Sequence, residues 1–292
     1  MTLKLRRGKV LVLVGESGSG KTTLARLMLR AVRPDSGSII FDGNDITNKS
    51  EKELKDFRKK VQMIHQDPYT SLNPRMTILD IVKEPLDIFY KQYSNKERIE
   101  IVLRTLEDVF LDPVIETSAK YPYMLSGGQR QRVALARALV LMPKLIIADE
   151  PVSMLDVSIR AEILYLMKKL SDERDITYLY ITHDLATSRY MGDDIAVMYA
   201  GKIVEMGPAE SVLSNPLHPY TQALIQAVSE PDLSNLLAER IIPIKSETMA
   251  LPEKGCRFYH KCLYSMDICK LEPPEREVEE KHRISCYLYD KT

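Results

Sequence analysis

A run of apolar residues leads directly into a glycine-rich loop near the beginning of the chain. Residues Val10–Val14 are all valine or leucine, which predicts a strand buried on both faces of a parallel sheet. The next residues have the spacing G-x-x-x-x-G-K-T, and they are Gly15, Glu16, Ser17, Gly18, Ser19, Gly20, Lys21, Thr22 and, directly after the motif, Thr23. A strand, a glycine-rich turn and a helix start in this order predict an α/β fold that carries a phosphate-binding loop.

The residue types in this loop suit phosphate binding. Glycine lets the main chain fold around phosphate oxygens without Cβ clashes, and the N–H groups then point inward. Lys21 is expected to reach the β- and γ-phosphates, and the Thr22 hydroxyl is expected to bind Mg²⁺. The alternative is an ordinary corner between a strand and a helix.

A second apolar run ends in two acidic residues. Residues 145–148 read as a buried strand, and Asp149 and Glu150 follow directly. Asp149 fits the carboxylate that holds Mg²⁺ at the carboxyl end of such a strand. Glu150 points the other way and is our candidate for the general base that polarises an attacking water. The alternative is a solvated acidic loop.

Three further segments carry polar residues at element ends. Gln66 follows the apolar stretch 61–65, and His183 follows the apolar stretch 176–182; each alone could be an ordinary polar residue. The turn 125–129 runs straight into a helical pattern over 130–139. Ser126 lies at the start of that helix, where free N–H groups and the helix dipole attract anions.

The order of these motifs resembles the nucleotide-binding subunit of an ABC transporter, over roughly residues 9–232. The resemblance implies a RecA-like P-loop NTPase core with a small antiparallel β-subdomain and a helical subdomain. It implies that Gln66 senses Mg²⁺ and water, and that His183 contacts the γ-phosphate. Residues 153–156 resemble the D-loop, which ends at Asp156 and has Met154 where alanine is usual. The signature motif would comprise Ser126, Gly127, Gly128 and Gln129.

The resemblance also implies a dimer. In this family ATP lies between the phosphate loop of one subunit and the signature motif of another. Ser126 and Gly128 would then bind the γ-phosphate that is held on the partner's Lys21. The partner is either a second copy of this chain or a homologous ATPase.

Two segments narrow the resemblance to the oligopeptide/dipeptide importer ATPases, namely residues 67–75 and 215–221. Members of that group power import through transmembrane permease subunits, with an extracytoplasmic solute-binding protein as an indirect partner. The expected place is therefore the cytoplasmic face of the cell membrane, as a peripheral subunit. Nickel and oligosaccharide importers share these features and stay open as alternatives. A soluble, non-transport ABC ATPase is a remote alternative, because residues 23–125 show no sustained heptads.

Charge and hydropathy exclude other classes of function. The chain has 41 basic and 41 acidic residues, which gives no electrostatic case for binding nucleic acid. No apolar run approaches the roughly 18 residues of a membrane span, and the beginning of the chain lacks the apolar region of a signal peptide. Transport would therefore require other chains to cross the bilayer.

The four cysteines all lie near the end of the chain, and they are Cys256, Cys262, Cys269 and Cys286. A cytosolic ATPase should not need disulfides, whereas four thiolates can bind Zn²⁺ or an iron–sulfur cluster. The absence of C-x-x-C pairs favours a cluster over zinc, and free thiols or stray disulfides stay open. Similar extensions in the importer family hold a 4Fe–4S cluster in some members. We predict an ATPase domain at 1–232, with a helical subdomain at about 71–142, and a cysteine-bearing extension at 233–292.

Local sequence patterns predict the remaining helices and strands. We expect a strand at 36–43 and helices at 52–60 and 158–174. Two strands are expected within 195–206, with the turn between them at Ala200-Gly201. A short helix is expected at 208–213, and another helix at 218–228.

Members of the family stack adenine on an aromatic residue ahead of the phosphate loop. Residues 1–14 include no aromatic residue, and we also expect the first strand of the β-subdomain to be missing. We therefore expect weaker adenine recognition by this sequence.

Overall fold

A computed structural model of the chain describes residues 1–227, 244–245 and 251–290. The chain divides into two compact units. The first unit comprises the described residues within Met1–Leu5, Val10–Lys21 and Ile181–Thr292, and the second comprises Arg6–Lys9 and Thr22–Tyr180. The predicted boundary between residues 232 and 233 lies outside the described residues, so the domain division stays a prediction.

In the second unit, parallel strands carry the acidic pair. Strand β4 (Val61–Ile64) pairs in parallel with β5 (Leu145–Asp149), and the strand order is β4-β5-β6, where β6 spans Thr177–Thr182 and ends in the first unit. Strands β5 and β6 are buried at every residue, as the continuous apolar runs predict for a parallel sheet. The small sheet is shorter than the predicted strand at 36–43. This sheet consists of β2 (Ile40–Phe41) and β3 (Asn44–Asp45). Strand β2 ends at Phe41 because Asp42 and Gly43, which both have a positive φ, form a turn.

Helices fill most of the rest of the second unit. They are α1 (Lys21–Met28, which starts at the last residue of the first unit), α2 (Lys55–Lys60), α3 (Pro68–Ser71), α4 (Ile78–Phe89), α5 (Asn95–Asp108), α6 (Val114–Ser118), α7 (Gly127–Leu139) and α8 (Val157–Arg174). A 3₁₀ turn at Pro122–Met124 precedes α7. Helix α8 confirms the prediction for 158–174 to within one residue. Helix α2 starts later than predicted, because residues 51–54 form turns.

In the first unit, a parallel pair continues into antiparallel strands. Strand β1 (Val10–Val14) pairs in parallel with β7 (Asp194–Tyr199), and β7 pairs antiparallel with β8 (Lys202–Pro208). Ala200 and Gly201 have φ of 43° and 83°, which is the left-handed pair that a tight two-residue hairpin requires. Helix α9 (Leu185–Met191) follows β6, and helix α10 (Ala209–Ser214) follows β8. After a short loop comes helix α11 (Pro219–Gln226). The predicted end of α11, Val228, lies outside the described residues.

The sequence did not predict the two strands of the cysteine-bearing tail. Strand β10 (His282–Ser285) pairs antiparallel with β8, and β9 (Glu275–Glu279) pairs with β10. The strand order in the first unit is therefore β1-β7-β8-β10-β9. Mixed strands with flanking helices confirm the predicted α/β class. Within the described part of the chain, no helix is both long and apolar enough to span a membrane.

Candidate nucleotide site

The predicted phosphate loop folds back on itself around a buried lysine. The Lys21 ammonium group donates to the main-chain oxygens of Gly15, at 2.7 Å, and Glu16, at 2.9 Å. Lys21 is only 7% exposed, so its charge is held at the base of the loop. A Cβ atom on Gly15 would lie 2.2 Å from the Met198 main-chain oxygen, and only glycine permits this approach of the loop to β7.

The tip of the loop is open and holds an unused hydroxyl group. Glu16, Ser17 and Gly18 are exposed, whereas Ser19 is buried. The Ser19 Oγ atom has no hydrogen-bond partner among the described residues, although buried polar atoms usually have one. A lysine and a spare buried hydroxyl in a glycine-rich loop fit a phosphate ligand.

In the second unit, the acidic pair meets the polar residues that the sequence singled out. The Thr22 hydroxyl donates to Asp149 Oδ2 at 3.0 Å, and Asp149 is 7% exposed at the end of β5. The Gln66 amide donates to Glu150 Oε2 at 2.9 Å. Glu150 has a φ of 47°, so the chain turns sharply as it leaves the strand. The Thr22 hydroxyl and the Asp149 carboxylate offer oxygen ligands, which are the type that Mg²⁺ prefers.

The signature segment forms a capped helix start. Ser126 is exposed and is the N-cap of α7; its hydroxyl accepts from the Gln129 main-chain N–H at 3.3 Å, and Gln129 Oε1 accepts from the Ser126 N–H at 3.0 Å. This reciprocal capping box fixes the first turn of the helix. Gly128 is buried against α8, where an added Cβ would lie 2.5 Å from Ile159 Cγ2.

Gly128→Ala is expected to lower the free energy of unfolding by about 1–3 kcal/mol, because the new methyl group overpacks the contact with Ile159. Gly127→Ala is the matched control. A Cβ there meets its nearest atoms at 3.5 Å and 3.7 Å, which is ordinary contact. Urea unfolding of both variants tests the difference, and equal stabilities would contradict this account of why glycine is needed at position 128.

The other two predicted site residues lie at the ends of elements. His183 is exposed directly after β6, in the first unit, and the following Asp184 caps α9 by accepting from the Ala186 N–H at 2.9 Å. Asp156 is the exposed N-cap residue of α8, and its side chain makes no capping hydrogen bond. Both positions are accessible to a ligand or a second chain, but their roles stay predictions.

All four cysteines line one small cavity in the first unit. They are free thiols, and the Cys256 N–H donates to the Cys269 main-chain oxygen at 2.9 Å. Burial raises the pKa of Cys256 to about 11 and the pKa of Cys286 to about 12, with the neighbouring thiols adding to both shifts. Among residues 1–227, 244–245 and 251–290, however, no group of three or more His, Cys, Asp or Glu side chains is placed to hold a metal, so the structure does not support the predicted metal site at the four cysteines.

Sequence reasoning missed two hydrogen-bonded contacts in the first unit. The hydroxyl group of Tyr220 accepts from the Glu16 N–H at 2.8 Å, so a residue of α11 supports the phosphate loop. Glu205, on β8, is 1% exposed and receives hydrogen bonds from residues on two other segments. An acidic residue inside the apolar pattern of β8 was the available signal for Glu205, whereas no local pattern marks Tyr220.

Comparison with known proteins agrees with this geometry. Residues 1–153 match the family "ABC transporter", and residues 204–269 match "Oligopeptide/dipeptide transporter, C-terminal region". The oligopeptide transport ATP-binding protein AppF of Bacillus subtilis is 45% identical over 99% of this chain and 88% of its own length. The di/tripeptide transport ATP-binding protein DppF of Pseudomonas aeruginosa is 41% identical over 98% and 88%.

A solved structure shares the fold. The ATP-binding cassette MJ0796, a dimer in a post-hydrolysis state bound to ADP and Pi, has a TM-score of 0.64 and 32% identity over 71% of this chain and 88% of its own. The two curated relatives match 98–99% of this chain, so the likeness extends through the cysteine-bearing tail. The chain therefore belongs to the ABC transporter ATPases, as an ATP-binding subunit of the oligopeptide/dipeptide transport family.

Proposed function

We propose that this chain hydrolyses ATP to power the import of oligopeptides or dipeptides through a membrane ABC transporter. The observation that carries the peptide assignment is the match of residues 204–269 to the C-terminal region of oligopeptide/dipeptide transporters. The phosphate loop and the two hydrogen-bonded pairs, Thr22–Asp149 and Gln66–Glu150, support the ATPase reaction.

Each residue of the site has a proposed role. The loop 15–22 binds the phosphates through main-chain N–H groups and Lys21. Thr22 and Asp149 would hold Mg²⁺, which neutralises phosphate charge when bound. Glu150 accepts a proton from the attacking water while Gln66 orients its carboxyl group, and His183 contacts the γ-phosphate.

Two copies of the site would form in a dimer. The exposed capped start of α7 would complete the site of another subunit, with Ser126 and Gly128 facing the γ-phosphate and Asp156 nearby. The MJ0796 cassette, which is dimeric in its solved structure, supports the expectation of a dimer. The second subunit is a homologous ATPase or another copy of this chain, and ATP hydrolysis separates the two.

Membrane partners follow from the transport role. Permease subunits would carry the peptide across the bilayer, and this chain would bind them at the cytoplasmic face as a peripheral subunit. A solute-binding protein would deliver the peptide on the other side. A nickel or oligosaccharide importer is the alternative, since this chain would not itself contact the substrate.

Deletion of the gene, with measurement of uptake, tests the peptide assignment. Loss of labelled di- and oligopeptide uptake, restored by the wild-type chain but not by Lys21→Ala, is the expected result. Unchanged peptide uptake with loss of nickel or oligosaccharide uptake would overturn the assignment in favour of the alternative. Purification of the tagged chain from detergent-solubilised membranes should recover permease subunits.

For the tail we propose a 4Fe–4S cluster held by Cys256, Cys262, Cys269 and Cys286. The shared cavity and the four thiols, none of which is in a disulfide, suit this donor set. High thiol pKa values do not oppose binding, because a coordinated thiol loses its proton outright. The role would be structural, since a cluster would join four positions spread over residues 256–286 of the tail.

Anaerobic purification is expected to give brown protein that contains iron and acid-labile sulfide, and these should be lost in Cys256→Ser. Colourless protein with stoichiometric zinc would show that the four cysteines hold zinc and not a cluster. Protein with neither metal would leave four free thiols. Elemental analysis of freshly prepared protein distinguishes the three outcomes.

A further inference from the structure

The phosphate loop is supported by a tyrosine from outside the nucleotide motifs. Tyr220, the second residue of α11, is 1% exposed, and its hydroxyl group accepts from the Glu16 N–H at 2.8 Å. The same peptide group carries the Gly15 oxygen, which accepts from Lys21 Nζ at 2.7 Å. One hydroxyl group therefore fixes the peptide that helps to hold the loop lysine.

The ring of Tyr220 is in turn held by two other aromatic rings. The centroid of its ring lies 4.6 Å from that of Tyr199 and 5.6 Å from that of Phe258. Tyr199 and Phe258 also meet edge to face at 5.2 Å, so the three rings form a closed cluster. The backbone of α11 is fixed as well, because the Tyr220 N–H donates to His218 Nδ1 at 3.0 Å.

Phe258 belongs to the cysteine-bearing tail. It lies two residues after Cys256, its main-chain oxygen accepts from the Cys262 N–H at 3.0 Å, and it lines the same cavity as the four cysteines. Its side chain is 1% exposed, and this burial comes in part from Tyr199 and Tyr220. A continuous line of contacts thus leads from the cysteine segment to the phosphate loop, entirely within the first unit.

We infer that Tyr220 is a positioning residue for ATP binding, and that the cysteine-bearing tail, through Phe258, keeps its hydroxyl group on the phosphate loop. The inference rests on the proposed role of loop 15–22 in binding phosphates. A loop that loses this hydrogen bond samples other main-chain conformations. The apparent Kd for ATP then rises as the inverse of the fraction of molecules that stay competent to bind.

Tyr220→Phe removes the hydroxyl group and keeps the ring in its cluster. We expect the Kd and KM for ATP to rise about fivefold, the factor that corresponds to one ordinary hydrogen bond. The kcat and the melting temperature should change little, because the reacting groups and the packing remain.

The matched control is Tyr178→Phe. Tyr178, on β6, is also fully buried, and its hydroxyl group has no hydrogen-bond partner among the described residues. The chemical change is the same, but no loop contact is lost, so ATP affinity should stay at the wild-type value. An equal rise in Kd for both variants would assign the effect to general loss of hydroxyl groups and would overturn the inference.

The role of the tail is tested by a double-mutant cycle. Phe258→Leu loosens the ring cluster but keeps an apolar side chain, so that folding is preserved. It should raise the Kd for ATP in the wild-type background and have no further effect in Tyr220→Phe, because both changes act through the same hydroxyl group. Additive effects would show that the tail acts by another route and would overturn this part of the inference.

The variant Lys21→Ala distinguishes failure of the inference from failure of the proposed function. If Lys21→Ala abolishes ATP binding and Tyr220→Phe binds like the wild type, the positioning role fails and the proposed function stands. If Lys21→Ala itself binds ATP like the wild type, the assignment of the phosphate loop fails, and the inference fails with it. Titration of the purified full-length chain with ATP gives all of these values.

Discussion

Glu150→Gln is expected to lower the kcat for ATP hydrolysis by about 10²–10⁴-fold, the usual contribution of a general base, while ATP binding is retained. The amide has the shape of the carboxyl group, so it can still face Gln66, which now lies 2.9 Å from Glu150 Oε2. It cannot accept a proton from water at neutral pH. ATP should therefore persist in the site, and an ATP-bound dimer should accumulate.

Phosphate release and gel filtration with ATP and Mg²⁺ measure these two effects. Glu51→Gln is the control, because Glu51 is an exposed partner of Arg58 at 2.6 Å and lies outside the proposed site. The control should hydrolyse ATP at the wild-type rate. A variant Glu150→Gln that turns over near that rate would remove Glu150 from the reaction.

Glu205→Ala is expected to lower the free energy of unfolding by at least about 3–5 kcal/mol, because each buried donor left without its acceptor costs about 1–3 kcal/mol. The carboxyl oxygens of Glu205 accept from the Leu217 N–H at 2.9 Å and the His218 N–H at 2.8 Å. Oε1 also lies 2.8 Å from His282 Nε2, to which we assign the proton. Truncation would leave all three donors buried without an acceptor, as well as a cavity.

Glu275→Ala is the control for charge alone. Glu275, on β9, pairs with Arg283 at 2.6 Å, but its side chain is 50% exposed. Exposed pairs of this kind contribute up to about 1 kcal/mol. Urea unfolding of the two variants should therefore differ severalfold in the stability lost, and similar losses would contradict the structural role of the Glu205 network.

The parts of the fold that sequence reasoning predicted are those with a strong local signal. Strands β1, β5 and β6 were predictable because a strand that is buried on both faces needs apolar side chains at every position. The start of α7 was predictable because Ser126 and Gln129 have the spacing of a capping box. The phosphate loop was predictable because few structures other than a phosphate site require its glycines.

The parts of the fold that sequence reasoning missed depend on hydrogen bonds to residues that are distant in the sequence. Strand β9 reads Glu-Arg-Glu-Val-Glu, and all five residues are exposed, so it has the composition of a loop. Its neighbour β10 is a strand because it pairs with β8, and His282 and Glu205 are 77 residues apart. Tyr220 and Glu16 are separated by 204 residues. Hydrogen bonds between such distant residues leave no periodic pattern from which they could be predicted.

The pairing of β8 with β10 has a consequence for any shortened form of this protein. Strand β8 has β7 on one side and β10 on the other, and the pairing with β10 joins Glu205 and Met206 to Ile284 and Arg283. Removal of residues 275–290 would expose one of these sides as an open edge, which is a template for strand addition by another chain. The natural edge is β9, where three glutamates and an arginine discourage such pairing. A version that ends before the tail should therefore aggregate through β8, even though every nucleotide motif is still present.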